Sequence, residues 1–342
     1  MPTKANLRAR SATERLAAVK ALIKQPDTDL EILFEALADK SNLVVAAAAA
    51  GLGERQTANA IVPLEQCYDR LAANGVKRDP GCLARTAIVK ALAQCRAHSA
   101  ARVFFDAVKT VQSEHTGDTA VPLRVQAAAA LAQLRLPGAL LALAILLFDV
   151  EPQVPYAPED RLYVTLQARM TAAQALAVLG DPGAVAVLGV KLQFEQDELP
   201  EVLLECMDAL VQLDGQAALE LLPRYLRHRD AYLSVGAATA LAGLPPPERE
   251  AVVPLLLDAL QEAPSDAQVP LSLALSSVRS DASIAALAEL TEHPTLALRL
   301  AAVEGLRHRG DVSAVEVLQE LVRRTGDRRV VQAAQRALDE LA

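Results

Sequence analysis

Tryptophan is absent from this 342-residue chain, and aromatic side chains of all kinds make up only 3% of it. Apolar residues nonetheless reach 52%, so the burial is carried by alanine, leucine and valine, the residues of narrow helix stripes. Cysteine is scarce as well. Cys67, Cys82, Cys95 and Cys206 show no CxxC spacing, and Cys95 and Cys206 fall at stripe positions, which reads as reduced, buried thiols. Positive charge is in deficit: 34 Lys and Arg face 42 Asp and Glu, and the net charge of −8 opposes non-specific nucleic-acid binding. No long hydrophobic run exists. The most apolar stretch, Pro137 to Phe148, has 12 residues and ends at Asp149, too short to span a bilayer. Residues 1–13 are polar and basic without an apolar segment, so no signal peptide is evident and a cytoplasmic protein without membrane insertion is expected.

What the chain has instead is a repeated unit. In 169–192, RMTAAQALAVLGDPGAVAVLGVKL, residues Ala172, Ala175, Leu176 and Leu179 fall at i, i+3, i+4 and i+7 of one helix face. Gly180 is placed to end that helix, because only glycine enters the left-handed region without a Cβ penalty. Asp181-Pro182 opens a second helix whose stripe is Ala184, Val185 and Leu188. Two narrow stripes cannot be buried by one hairpin, so copies must stack.

Leu176 has equivalents at Leu22, Leu52, Leu92, Leu131, Leu210, Leu241, Leu275, Leu306 and Leu338, each preceded by alanine or glycine. Neighbouring markers are 30 residues apart at the least (Leu22 to Leu52) and 45 at the most (Leu131 to Leu176). Two helices per unit at that period describe an α-solenoid. The small residue lets successive first helices (A-helices) approach closely, and the leucine fills the space between layers. A right-handed superhelix of about nine helical hairpins plus a C-terminal capping helix is expected, as one solenoid domain over 1–342. Residues 1–10 are expected to form a flexible arm, and the proline-rich 149–160 an insertion between repeats. Other elements read as helices at 99–111, 216–228 and 269–278, with 112–119 a connecting loop.

The motif Arg169-xx-Ala172-Ala173-x-Ala175-Leu176-xx-Leu179-Gly180-Asp181-Pro182-x-Ala184-Val185 resembles HEAT repeats, and more narrowly the short repeats of the phycobilisome-lyase-like type. Arg299-xx-Ala302-Val303-x-Gly305-Leu306-xxx-Gly310-Asp311-xx-Ala314-Val315 is a second good copy. Arg124-xx-Ala127-Ala128-x-Ala130-Leu131 is a third, followed by Pro137-Gly138-Ala139-Leu140 in place of the Gly-Asp turn. The matching residues are those that pack, so the resemblance implies the fold and leaves the ligand open.

Enzymatic members of this repeat class supply tests. A deoxyhypusine hydroxylase would need repeated His-Glu dyads, but His98, His115, His228, His293 and His308 are followed by Ser, Thr, Arg, Pro and Arg. No HxxxH or HxxE pair places ligands on one helical face, so neither a metal nor a cofactor is expected. A HEAT-like DNA glycosylase would need a basic groove with aromatic side chains, against which stand the acidic balance and the missing tryptophan. Basic patches do occur at 224–229, 307–309 and 323–329, where cations suit helix C-termini; nucleic-acid binding through them is a minor reading.

The expectation is therefore a non-enzymatic scaffold that holds a protein partner on a concave surface lined by the second (B) helices. A phycobilisome-lyase-like enzyme or chaperone is the alternative the resemblance implies. The candidate contact residues come from two places. Helix 137–148 is apolar almost all round, so its second face, with Leu141, Ala144 and Ile145, needs a cover. Either the adjoining insertion packs back through Val154, Pro155 and Tyr156, or the face lies open to a partner segment. Arg224 and Arg227 of the basic patch complete the set.

Overall fold

The computed structural model describes residues 11–25, 30–115, 117–149 and 165–342. The chain divides into two compact units, 1–184 and 185–342. The arm expected at 1–10, the first turn at Pro26-Asp27, and the insertion from residue 150 onward, with Tyr156, lie outside the described residues.

Unit 1 contains α1 (Ala12–Ile23), α2 (Leu30–Leu37), α3 (Asn42–Glu54), α4 (Ile61–Ala72), α5 (Gly75–Arg78), α6 (Leu83–Gln94), α7 (Ala101–Ala107), α8 (Val121–Gln133), α9 (Ala139–Leu147) and α10 (Leu166–Leu179). The A-helices α1, α3, α6, α8 and α10 pack each on the next, and the B-helices α2, α4, α7 and α9 each pack on the A-helix that follows. The next B-helix, α11 (Gly183–Gln193), runs on past the end of this unit.

In unit 2 follow α12 (Pro200–Leu213), α13 (Gly215–Leu221), α14 (Ala231–Ala242), α15 (Glu248–Glu262), α16 (Ser265–Ser277), α17 (Asp281–Leu290), α18 (Leu296–Arg309), α19 (Val312–Arg324) and α20 (Arg328–Leu341). The same order holds: A-helices α12, α14, α16, α18 and α20 pack in series, with α15, α17 and α19 behind them. The chain is an all-α solenoid.

The marker residues explain the stacking. Leu52, Leu92, Leu131, Leu176, Leu210, Leu241, Leu275 and Leu306 are wholly buried and Leu22 nearly so, while Leu338 of α20 is half-buried. The small residue before the leucine is a steric requirement. A Cβ on Gly51 would lie 2.6 Å from Ile23 of α1, and one on Gly305 would lie 2.6 Å from Ser272 of α16. Helix ends follow the expected chemistry as well. Gly180 (φ +67°) and Gly310 (φ +62°) both take the left-handed conformation. Asp181 Oδ1 accepts from the Gly183 N–H at 2.8 Å, and Asp311 Oδ1 from the Ala314 N–H at 3.0 Å.

Several boundaries differ from the sequence expectation. The helix read at 99–111 is only Ala101–Ala107, entered through a 3-10 turn at His98–Ala100. The helix read at 216–228 stops at Leu221, because Pro223 has no N–H to continue it, and tightens into a 3-10 turn, Pro223–Arg227. α16 starts at Ser265, four residues earlier than read, and runs through Pro270. The loop 112–119 holds a two-stranded hairpin, β1 (Ser113–Glu114) against β2 (Gly117–Asp118). It is held from outside: Glu114 Oε1 accepts from the Gly81 N–H at 2.8 Å and from Thr119 Oγ1 at 2.9 Å. Cys95 is not a stripe residue but the residue after α6, half-exposed; Arg96 beyond it has φ +51° and turns the chain away. Cys206 is buried as expected, and so are Cys67 and Cys82.

Candidate protein-binding surface

In unit 1 the outward row of the B-helices changes character from repeat to repeat. On α7 it is Arg102 and Asp106, with Lys109 in the turn just beyond, and Arg102 reaches back to Asp69 of α4 at 2.8 Å. On α9 it is apolar. Ala142, Leu143, Leu146 and Leu147 form the buried face, whereas Leu141 is 67% and Ile145 57% exposed. Ala144 beside them is half-buried. Phe148, 40% exposed at the end of α9, extends the row by one more turn; the sequence reading stopped short of it although the same spacing points to it. The exposure of Leu141 and Ile145 follows from the geometry: a B-helix in a two-layer stack has one face to bury, and α9 has apolar residues on both.

Unit 2 repeats the pattern on α11, where Ala186 and Val190, with Phe194 just past the helix end, are exposed at a spacing of four residues. Val190 is 50% and Phe194 59% exposed. The sequence reading missed these. The signal was available, since Ala186, Val190 and Phe194 recur at helical spacing in GAVAVLGVKLQF.

Arg224 and Arg227 are exposed in unit 2 and both are engaged. Arg224 donates through Nη2 to the Leu192 carbonyl and through Nη1 to Gln193 Oε1, each at 2.7 Å, and its guanidinium lies 4.8 Å from the Tyr225 ring centre. Tyr225 donates to the same Leu192 carbonyl at 2.6 Å, and burial pushes its phenol up to about 12. Both side chains thus serve the C-terminal end of α11, where carbonyls lack helical partners. Arg227 bridges Asp258 and Glu262 of α15, the latter at 2.9 Å.

Among the described residues no three His, Cys, Asp or Glu side chains converge as a metal group. The thiols offer no activated nucleophile. Burial pushes Cys206 up to about 12 and Cys82 up to about 11, and it raises Cys67 and Cys95 as well. No helix among the described residues is long and apolar enough to cross a membrane.

The family model for HEAT repeats matches residues 253–339. No curated protein sequence matches the chain. Among solved structures, Kap121p is similar over 99% of this chain with TM-score 0.57 and 12% identity, and Kap121p bound to Ste12p with TM-score 0.59 and 12% identity over the same share. The karyopherin Kap121p bound to the extreme C-terminus of the protein phosphatase Cdc14p gives TM-score 0.57 and 13% identity over 99% of this chain. This chain spans 40–41% of the length of those structures, and at such identities the likeness is one of fold. Residues 253–339 therefore match HEAT repeats, and the chain as a whole is an all-α solenoid.

Proposed function

We propose that this chain is a non-catalytic scaffold that holds a partner protein on the outward face of its B-helices. The observation that carries the reading is the α9 row, with Leu141 at 67% and Ile145 at 57% exposure on a helix whose opposite face is core. Isolated exposed leucines are ordinary, but an apolar row at helical spacing is the form in which an amphipathic partner segment is received. The solved structures similar in fold include Kap121p bound to Ste12p and to the extreme C-terminus of Cdc14p, so solenoids of this architecture hold protein segments. The phycobilisome-lyase-like alternative rests on the sequence resemblance alone, because the residues shared with that subtype are packing residues.

The test is Ile145→Asp. A charge at an exposed position should change stability by no more than about 0.5 kcal/mol. The expected outcome is that proteins retained from native lysate by the wild-type chain are lost with the variant, while its thermal melt is unchanged. A collapsed melt without any partner would show that Ile145 is core and that the face is not a binding surface.

A further inference from the structure

Unit 1 carries arginines at both ends of its A-helices, and the two sets are treated differently. The first set stands seven residues before the marker leucine and includes Arg15, Arg85 and Arg124. Each of these has a loop carboxylate as partner: Asp39 for Arg15, Asp79 for Arg85 and Asp118 for Arg124. The second set follows the marker leucine, in the turns that lead from A-helix to B-helix: Arg55, Arg96 and Arg135. Arg55 donates to the Gly51 carbonyl at 2.9 Å and the Gln25 carbonyl at 3.1 Å, so no carboxylate offsets its charge. Arg96 and Arg135 are exposed. Among the described residues their guanidinium groups make neither an ion pair nor a hydrogen bond.

The three turns, 55–60, 95–100 and 134–138, contain no aspartate or glutamate. Glu54, the last residue of α3, is exposed and bridges none of the three arginines. Asp181 in the next turn is occupied by the Gly183 N–H. A chain of net charge −8 thus keeps one edge of unit 1 cationic.

Packing does not account for these side chains. Gln56, Arg96 and Arg135 stand four residues after their leucines, in the register of Gly180, and share its left-handed backbone at φ +48°, +51° and +48°. For arginine that conformation costs at least as much as an exposed cation gains at a helix C-terminus. Stability alone would favour glycine at both positions. Between the turns after α6 and α8 lies a recess of about 470 Å³, lined by Arg96 and His98 on one side and Gln133 and Leu134 on the other. The His98 ring is fixed beside Arg96, because its Nδ1–H donates to the Arg96 carbonyl at 2.9 Å. Arg135 is the next residue after Leu134.

We propose that an acidic segment of the partner protein lies extended along this edge, with one carboxylate in the recess against Arg96 and others against Arg55 and Arg135. This rests on the scaffold reading and adds to it the charge of one partner segment. The spacing suits an extended chain. α3, α6 and α8 pack in series, and packed helices lie about 8–10 Å apart. Three residues of extended chain cover about 10 Å, so carboxylates at every third residue meet successive turns. Nucleic acid fits less well, since the turns hold no Phe, Tyr or Trp on which a base could stack.

The probe is a peptide of three Glu-Gly-Gly units carrying a neutral dye, followed by fluorescence anisotropy with the full chain at low salt. Saturable binding is expected, weakening as salt is raised. It should be about tenfold or more weaker for the Gln-Gly-Gly analogue, as when several exposed charge pairs are lost together. Arg96→Gln with Arg135→Gln should weaken binding by a similar factor. That double variant places in both turns the residue that Gln56 already supplies at the same register, so its thermal melt should match the wild type. Absence of binding, equal binding of the two peptides, wild-type binding by the double variant, or tighter binding of an oligothymidylate than of the glutamate peptide would each overturn the proposal. A double variant that melts lower or fails to fold would assign the arginines to the helix ends and overturn it as well. The α9 surface is read separately through Ile145→Asp, so loss of partner capture there together with absent glutamate binding here removes this edge and leaves the scaffold reading standing.

Discussion

An arginine is among the last residues expected in a core, because removing its charge from water is costly unless every donor finds a partner. Arg85 shows how this solenoid manages it: Nε donates to Asp79 at 3.1 Å, and Nη2 donates to Gln112 Oε1 and contacts Cys82 Sγ at 3.1 Å. The arginine was visible in the sequence as the first letter of three repeat copies. Its burial was not, since it also depends on Gln112, which lies outside the repeat motif. The same limit explains the cysteines. A stripe extended one residue too far put Cys95 inside a helix interface, whereas Cys67, in the Leu64–Leu71 stripe of α4, and Cys82, in the 3-10 turn before α6, are buried. Under native conditions a maleimide reagent near neutral pH should modify Cys95 first, and modify Cys206 only on unfolding. Cys206 has no exposed surface and its thiol is held up to about 12, so both access and thiolate fraction are against it. Native labelling of Cys206 as fast as Cys95, followed by peptide mapping, would contradict this placement.

Individual helices show where local chemistry suffices and where it does not. The Gly180 and Gly310 ends were readable because a helix-terminating glycine needs only its own backbone freedom. A Cβ on Gly180 would meet no atom within 4 Å, so Gly180→Ala isolates the cost of the left-handed conformation at φ +67°. That cost should be about 1–2 kcal/mol, read as a lower urea midpoint with unchanged slope. A loss well below about 0.5 kcal/mol, the range of neutral surface changes, would mean that the turn relaxes. Gly51 is the opposite case: its backbone is helical, and the obstacle is Ile23 at 2.6 Å, a contact from another repeat that no local motif announces. The connections from B-helices to the next A-helices were the least legible. α5, the 3-10 turn Pro80–Cys82 and the β1–β2 hairpin are tied together by Glu114 and Gln112 across more than thirty residues of sequence (Gln112 Nε2 to the Asp79 carbonyl, 3.1 Å). α9 lies between these extremes. Its composition showed that one apolar face exceeded what the stack could bury, and Leu141 and Ile145 are indeed exposed, yet nothing in the composition says what meets them.

At the scale of the whole chain, a period of 30–45 residues was enough to specify stacked hairpins, because each hairpin's stripes are satisfied only by its neighbours. The division at 184/185 was not readable, since the repeat motif runs straight through it from Ala184 to Val185 and Leu188 without a change in pattern. Stability in such an array is a sum of repeat and nearest-neighbour terms, so damage should stay local. Leu176 offers the cleanest test. It is wholly buried in α10, which packs on α8 and α9. Leu176→Ala should cost about 2–5 kcal/mol, the transfer term plus the cavity left behind. Amide hydrogen exchange resolved by peptide should then show protection falling across α8, α9 and α10. Protection in α18 and α20, buried through Leu306, Val330 and Ala334 in the other unit, should hold at the wild-type level. If exchange in α18 accelerates in step with α10, the chain unfolds as one cooperative body and the nearest-neighbour account fails. If α10 itself keeps its protection, Leu176 is not the packing residue that its register and burial make it.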